Sequence, residues 1–221
     1  MTRTSISAHA PERRGFGVRG IGWRPVTTAS WMVAAFLIAF ALAAIVLAIF
    51  GAGNRGTELA LRVTARWSFL LFWLAYAGAA MAWPWGPRLG RLARLGRELG
   101  LAFASAHLVH VGLVLWLFGG PGRGMVFFWA GILCTYLLAL FSLPRLRDTL
   151  APRLWRIFRT IAIEYILGPL QAGGLGKYPL TYVPLALMLV GGTGLRVAAF
   201  SDRKLRHLGE IFPLRVGGPR A

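Results

Sequence analysis

Charge is scarce in this chain: only 14% of its 221 residues are Asp, Glu, Lys or Arg, against 57% hydrophobic, and only seven residues are acidic. So little charge excludes an ordinary soluble domain, which needs a polar surface. Cysteine is represented by Cys134 alone, which rules out an intrachain disulfide framework or thiolate cluster and reads as a small packing residue. Four histidines, two of them in the terminal segments (His9 and His207), cannot supply a zinc-type His-x-x-x-His pair or a Ser-His-Asp set. Hydrolase chemistry has no support. Gly173-Gly174-Leu175-Gly176-Lys177-Tyr178 superficially looks like a phosphate loop, but Gln171 replaces its first glycine and Tyr178 its Ser or Thr.

What the sequence has in abundance is long apolar runs. A hydrocarbon core about 30 Å thick needs about 20 apolar residues per helix, and six stretches meet or approach that: Trp31 to Phe50, Trp67 to Trp85, Leu99 to Phe118, Met125 to Leu143, Leu154 to Leu170 and Tyr178 to Phe200. Pro84 and Pro144 end the second and fourth, and Trp83 and Trp85 stand where interfacial anchors belong. The fifth begins amphipathic, with Arg156 and Arg159. The sixth carries Gly191-Gly192-Thr193-Gly194, small residues that let a neighbouring helix approach closely. The expected fold is therefore all-α and integral to the membrane, a six-transmembrane-helix bundle over residues 29–200 between basic tails 1–28 and 201–221.

The net charge of +18 reports topology. Twenty of the 25 Lys and Arg fall in the N-terminal tail, the second and fourth connections and the stretch from Arg196 onward, and five fall on the other side. The positive-inside rule then places both termini in the cytoplasm, the inner membrane being the compartment. A basic face of this kind meets anionic headgroups of the lipid bilayer; no nucleic-acid-reading motif accompanies it. Arg13-Arg14 is not an export signal, because the apolar run begins about 15 residues later and is too long for a signal core.

Ionisable groups within spans are costly, about 2.5–3.5 kcal/mol at a helix centre on insertion scales, so each is a functional candidate. Three stand out: His107 and His110 in the third span and Glu164 in the fifth. The histidines are spaced i, i+3 and so share a helix face, and rise per residue places all three near mid-bilayer. A neutral imidazole is a common haem ligand. From spacing alone the simpler reading is that each histidine bonds a neighbouring helix and that Glu164 is protonated or paired with Arg159.

Thr64-Ala65-Arg66-Trp67-Ser68-Phe69-Leu70-Leu71-Phe72, Arg97-Glu98-Leu99-Gly100-Leu101-Ala102-Phe103 and then His107 and His110 resemble the ferric-reductase-like transmembrane domain. The most specific part is Arg-x-Leu-Gly-Leu opening the third helix, with a histidine ten residues after the glycine; Gly100 and His110 satisfy it. The resemblance spans roughly residues 60 to 200. It implies a b-type haem on His110, a membrane electron-transfer subunit and possible oxidoreductase, and a separate reductase or a quinol as electron donor. Arg94, Arg97 and Arg159 would meet the haem propionates. Leu154-Trp155-Arg156-Ile157-Phe158-Arg159-Thr160 is similar to the family's lead-in to the fifth helix, yet no histidine follows to oppose His110. A five-coordinate haem, an unusual partner such as Tyr165 or Glu164, and no haem at all remain open; His107, on the same face as His110, would be a neighbouring group. Two rival functions stand beside this one. One is a non-haem membrane scaffold or partner subunit with a buried His/Glu network, and the other a proton or small-solute transporter using Glu164 and the histidines.

Overall fold

In the computed structural model, residues 25–118, 126–174 and 179–211 are described. The remainder of the tails and the expected turns at 119–125 and 175–178 lie outside them. Every regular element among the described residues is helical: α1 (Pro25–Phe50), α2 (Asn54–Trp85), a 3-10 turn (Gly86–Leu89), α3 (Gly90–Arg94), α4 (Gly96–Phe118), α5 (Val126–Phe141), α6 (Pro144–Arg147), α7 (Pro152–Gly174) and α8 (Pro179–Ile211). Four of them open on proline, which fits the first helical turn because its missing N–H has no intrahelical partner there.

The helices run past the apolar stretches that announce them. α2 has 32 residues, about 48 Å, and starts well before Trp67; its N-terminal half carries Arg55, Glu58, Arg62 and Arg66, with Arg62 and Glu58 paired at 3.5 Å. α8 has 33 residues and continues to Ile211, beyond the charged Asp202. Apolar runs mark where lipid lies. The hydrogen-bond ladder ends only where a breaker stops it. Between α1 and α2 that breaker is Gly51, whose φ of +79° caps α1 through a 2.9 Å bond to the Leu47 carbonyl.

Three stretches are long and apolar enough to cross a membrane, Thr27–Phe50, Gly96–Phe118 and Val183–Asp202, and Phe128–Phe141 is apolar but shorter. α2, rich in Trp and Tyr, and α7, with three arginines and Glu164, stand apart from these in composition. Large apolar side chains cover the outside: Trp116 is 72% exposed, Val190 69% and Ile49 68%. A surface of that kind is tolerated in hydrocarbon and not in water, so the chain is a membrane protein.

α4 sits at the centre, packed against α1 and α2. Alanines make the approach close, Ala35 and Ala39 on α1, Ala102 and Ala106 on α4, with Phe72 of α2 set edge-on to Phe103 at 5.2 Å. Hydroxyl and indole groups bond carbonyls across the seams: Ser105 donates to Met32 at 2.9 Å and Trp67 to Ala35 at 3.2 Å. α8 lies parallel to α2 along a polar ladder. Trp73 donates to the Met188 carbonyl at 2.6 Å, Tyr76 meets the Thr193 hydroxyl at 3.1 Å, and Trp83 donates to Asp202 at 2.9 Å. α5 and α7 form an antiparallel pair in which Phe141 meets Phe158 edge-on.

The glycine patch expected to admit a neighbour does so at one position. A Cβ on Gly192 would lie 3.0 Å from Trp73 Nε1 and 3.4 Å from Ala77 Cβ, whereas Gly191 and Gly194 have open space. Gly192→Leu should therefore displace α8, break the Trp73 bond and cost about 1–3 kcal/mol, and Gly191→Leu should be close to neutral; unfolding in mixed detergent micelles measures both.

Candidate functional site

Two cavities meet inside the bundle. The first, about 260 Å³, lies between α2, α4, α5 and α7 and is walled by His107 and His110, with Phe128, Ile132 and Ile166 opposite. Antiparallel packing of α2 and α4 builds it: Phe103 lies beside Phe72, and about two turns along, His110 lies beside Thr64. The shared face expected for the histidines is present, since Phe103, His107 and His110 stack at ring separations of 5.4 and 5.3 Å. His110 Nδ1 is 3.3 Å from Thr64 Oγ1. Thr64 is fully buried and its hydroxyl stands 2.9 and 3.2 Å from the Ala60 and Leu61 carbonyls of its own helix. With its single proton directed there, Thr64 accepts from His110 Nδ1–H, and the neutral ring carries its lone pair on Nε2. That is the tautomer of a metal-ligating histidine held from behind. Ser68, one turn further along α2, lines the same cavity with a buried hydroxyl that has no hydrogen-bond partner.

The second cavity, about 290 Å³, shares Phe72, Phe103 and Thr135 with the first. Four arginines line it, Arg97 from α4, Arg147 from the end of α6, Arg159 from α7 and Arg196 from α8. Gly100 borders it too, with nothing within 4 Å of where a Cβ would stand, so the glycine of the Arg-x-Leu-Gly-Leu motif leaves this chamber open. Arg97 pairs with Glu98 at 3.1 Å, while its Nε and the second Glu98 oxygen are buried without partners. Arg196 donates to the Tyr76 carbonyl at 3.2 Å and lies 4.2 Å over the Tyr76 ring.

Several sequence expectations need correcting. Glu164 is exposed and is not among the residues of the histidine cavity; Tyr165 is half-buried with its ring 4.0 Å from the position of a Gly131 Cβ, behind the cavity wall. Helix geometry is the reason: Ile163 and Ile166, three apart, turn to the interior, and the intervening residues face elsewhere. Neither residue opposes His110. The network expected between Glu164 and the histidines is likewise not formed. Arg94 is exposed and does not line the arginine chamber, whereas Arg97 and Arg159 do. Among the described residues, no group of three or more His, Cys, Asp or Glu gathers to hold a metal ion.

Thr64, Ser68, Arg147 and Arg196 were not singled out by sequence reasoning. The i, i+4 spacing of the two hydroxyls, which puts them on one face of the helix, was a readable signal for the first two. Arg147 and Arg196 were visible only as loop charges in the topology count.

Comparison with known protein families, characterised proteins and solved structures finds no match to this chain. Fold and site together define its class, an all-helical membrane protein with an apolar histidine cavity beside an arginine-lined chamber. Thr64→Val removes the acceptor of His110 Nδ1–H and should cost about 1 kcal/mol, the usual size of an interhelical hydrogen bond in a membrane protein. Ser68→Ala removes a hydroxyl with no partner and should be neutral or slightly stabilising; detergent unfolding midpoints of the two variants provide the comparison.

Proposed function

We propose that this protein is a six-span membrane electron carrier of the ferric-reductase-like type, with both termini cytoplasmic and a b-type haem held through His110 Nε2. The observation that carries this reading is the adjacency of the two cavities, which share Phe72, Phe103 and Thr135 as a common wall. An apolar slot with a ligating-tautomer histidine at one end and guanidinium groups at the other matches the chemistry of a flat, apolar molecule with iron at its centre and carboxylates on one edge. The unpartnered Ser68 hydroxyl and Arg97 Nε, and the opening left by Gly100, fit a ligand in that slot. Arg97 is the inner arginine and would take the carboxylates. His107, stacked on His110, would shield the ligating ring and hold it in place.

When bound, haem supplies a one-electron redox centre whose potential follows its ligation, burial and hydrogen bonding. The chain's own part is to fix the His110 tautomer through Thr64 and to keep water out with Phe69, Phe72, Phe103 and Phe128. The electron donor is a separate cytoplasmic reductase or a quinol. On the far wall none of the described lining residues offers a histidine, methionine or cysteine, so among them His110 is the residue that would hold the group. Helix directions support six alternating spans: α2 runs antiparallel to α4 and parallel to α8, and α5 antiparallel to α7.

That apolar far wall favours one rival, a haem-free scaffold in which His107 and His110 satisfy each other and Thr64. Purified protein, prepared with haem precursor supplied, should show a Soret band that shifts on dithionite reduction. His110→Ala should lose it and His107→Ala should keep it. A folded, monodisperse wild type with no Soret band leaves the scaffold reading in its place. For topology, alkaline phosphatase fused after Gly122 should be active and after Arg203 inactive; the reverse pattern overturns the orientation.

A further inference from the structure

The arginine chamber holds more positive charge than its neighbours balance. Arg147, Arg159 and Arg196 come from three separate helices and lie within charge–charge range of one another around Arg159. Among the described residues neither Arg147 nor Arg159 has an ion-pair partner, and no acidic side chain lines the chamber. Arg196 is anchored by Tyr76, so its guanidinium is held in place on the chamber wall. Like charges gathered without counter-charge repel, and solvent around the exposed Arg147 and Arg159 screens that repulsion without cancelling it. Trp155, half-buried, also lines the chamber, as an indole does at the headgroup level of a bilayer.

We propose that Arg147, Arg159 and Arg196 form a binding site for a phosphate group, that of an anionic phospholipid headgroup lodged between α2, α7 and α8. Guanidinium recognises phosphate bidentately, and basic pockets between membrane helices on the cytoplasmic side are the usual seats of such headgroups. Arg97, already paired with Glu98, is not needed for this site, and the proposal stands whether or not haem is bound. A phosphate dissolved in the cytoplasm has the same chemistry, so the test separates the two sources.

The full chain, delipidated in a neutral detergent, is titrated with phosphatidylglycerol, with phosphatidylcholine and with inorganic phosphate, and followed by thermal unfolding and native mass spectrometry. Phosphatidylglycerol should bind saturably and raise the unfolding midpoint, and phosphatidylcholine should not. Arg147→Gln with Arg159→Gln, both at exposed positions that the fold tolerates, should weaken binding by roughly tenfold or more. Arg156→Gln, exposed on the same helix and outside the chamber, should leave it unchanged. Stabilisation by inorganic phosphate that the double variant abolishes would support the site and make its ligand a soluble anion. Equal binding of both lipids, or binding of phosphatidylglycerol unaltered in the double variant, would overturn the proposal. Because the readouts do not involve haem, failure here leaves the Soret experiment untouched, and failure there leaves this one.

Discussion

The seam between α2 and α4 is the contact on which the rest of the structure depends. In hydrocarbon there is no hydrophobic drive to bring helices together, so association rests on close packing and on polar bonds between helices. This seam has both. Phe72 and Phe103 interlock edge to face, buried alanines stand along both helices, and Thr64 meets His110. α1 closes on the pair through Ala35, Ala39 and two side-chain bonds to its carbonyls. α8 docks on the opposite side of α2 through Trp73, Tyr76 and Trp83. Because α2 is longer than a bilayer is thick, it aligns partners at several levels, and the histidine cavity and the arginine chamber take their places along it.

The two cavities differ in what they ask of the chain. At the histidine end, the cost of placing an imidazole in an apolar interior is met by keeping it neutral and giving Nδ1–H an acceptor, which also decides which nitrogen faces outward. At the arginine end there is no neutral form to retreat to, since guanidinium stays charged under all ordinary conditions. The charge is tolerated there because Arg147 and Arg159 are exposed, and because Arg196 lies on the face of an aromatic ring.

Much of this was legible in the residues. The apolar stretches announce the helices, although the fourth outruns α5, which ends at Phe141, and the i, i+3 spacing of His107 and His110 put them on one face. Gly192 did what a small residue in a span suggests. Other features were not legible, for identifiable reasons. Helix ends were misjudged at α2 and α8, because hydropathy reports the solvent around a helix and not the continuity of its backbone bonds. Glu164 looked like an interior acid because its depth along the helix was readable, while its direction was not: α7 faces α5 through Ile163 and Ile166, and a carboxyl 100° away from Ile163 points elsewhere. Tyr165 misled in the same way.

Composition and one-dimensional charge order are properties of the chain itself, and they determined that it is helical, apolar and built for a membrane, with most of its basic residues between the apolar runs. Which residues form a site is a property of rotation and pairing between helices. Thr64 acquires its role only when α4 is laid antiparallel beside it, and Arg97, Arg147, Arg159 and Arg196, up to 99 positions apart in the chain, become one chamber only once α4, α6, α7 and α8 are packed. Spacing along a sequence gives position along a helix, but azimuth comes from the neighbours that each helix buries its small and aromatic residues against, and those neighbours exist only in the folded bundle.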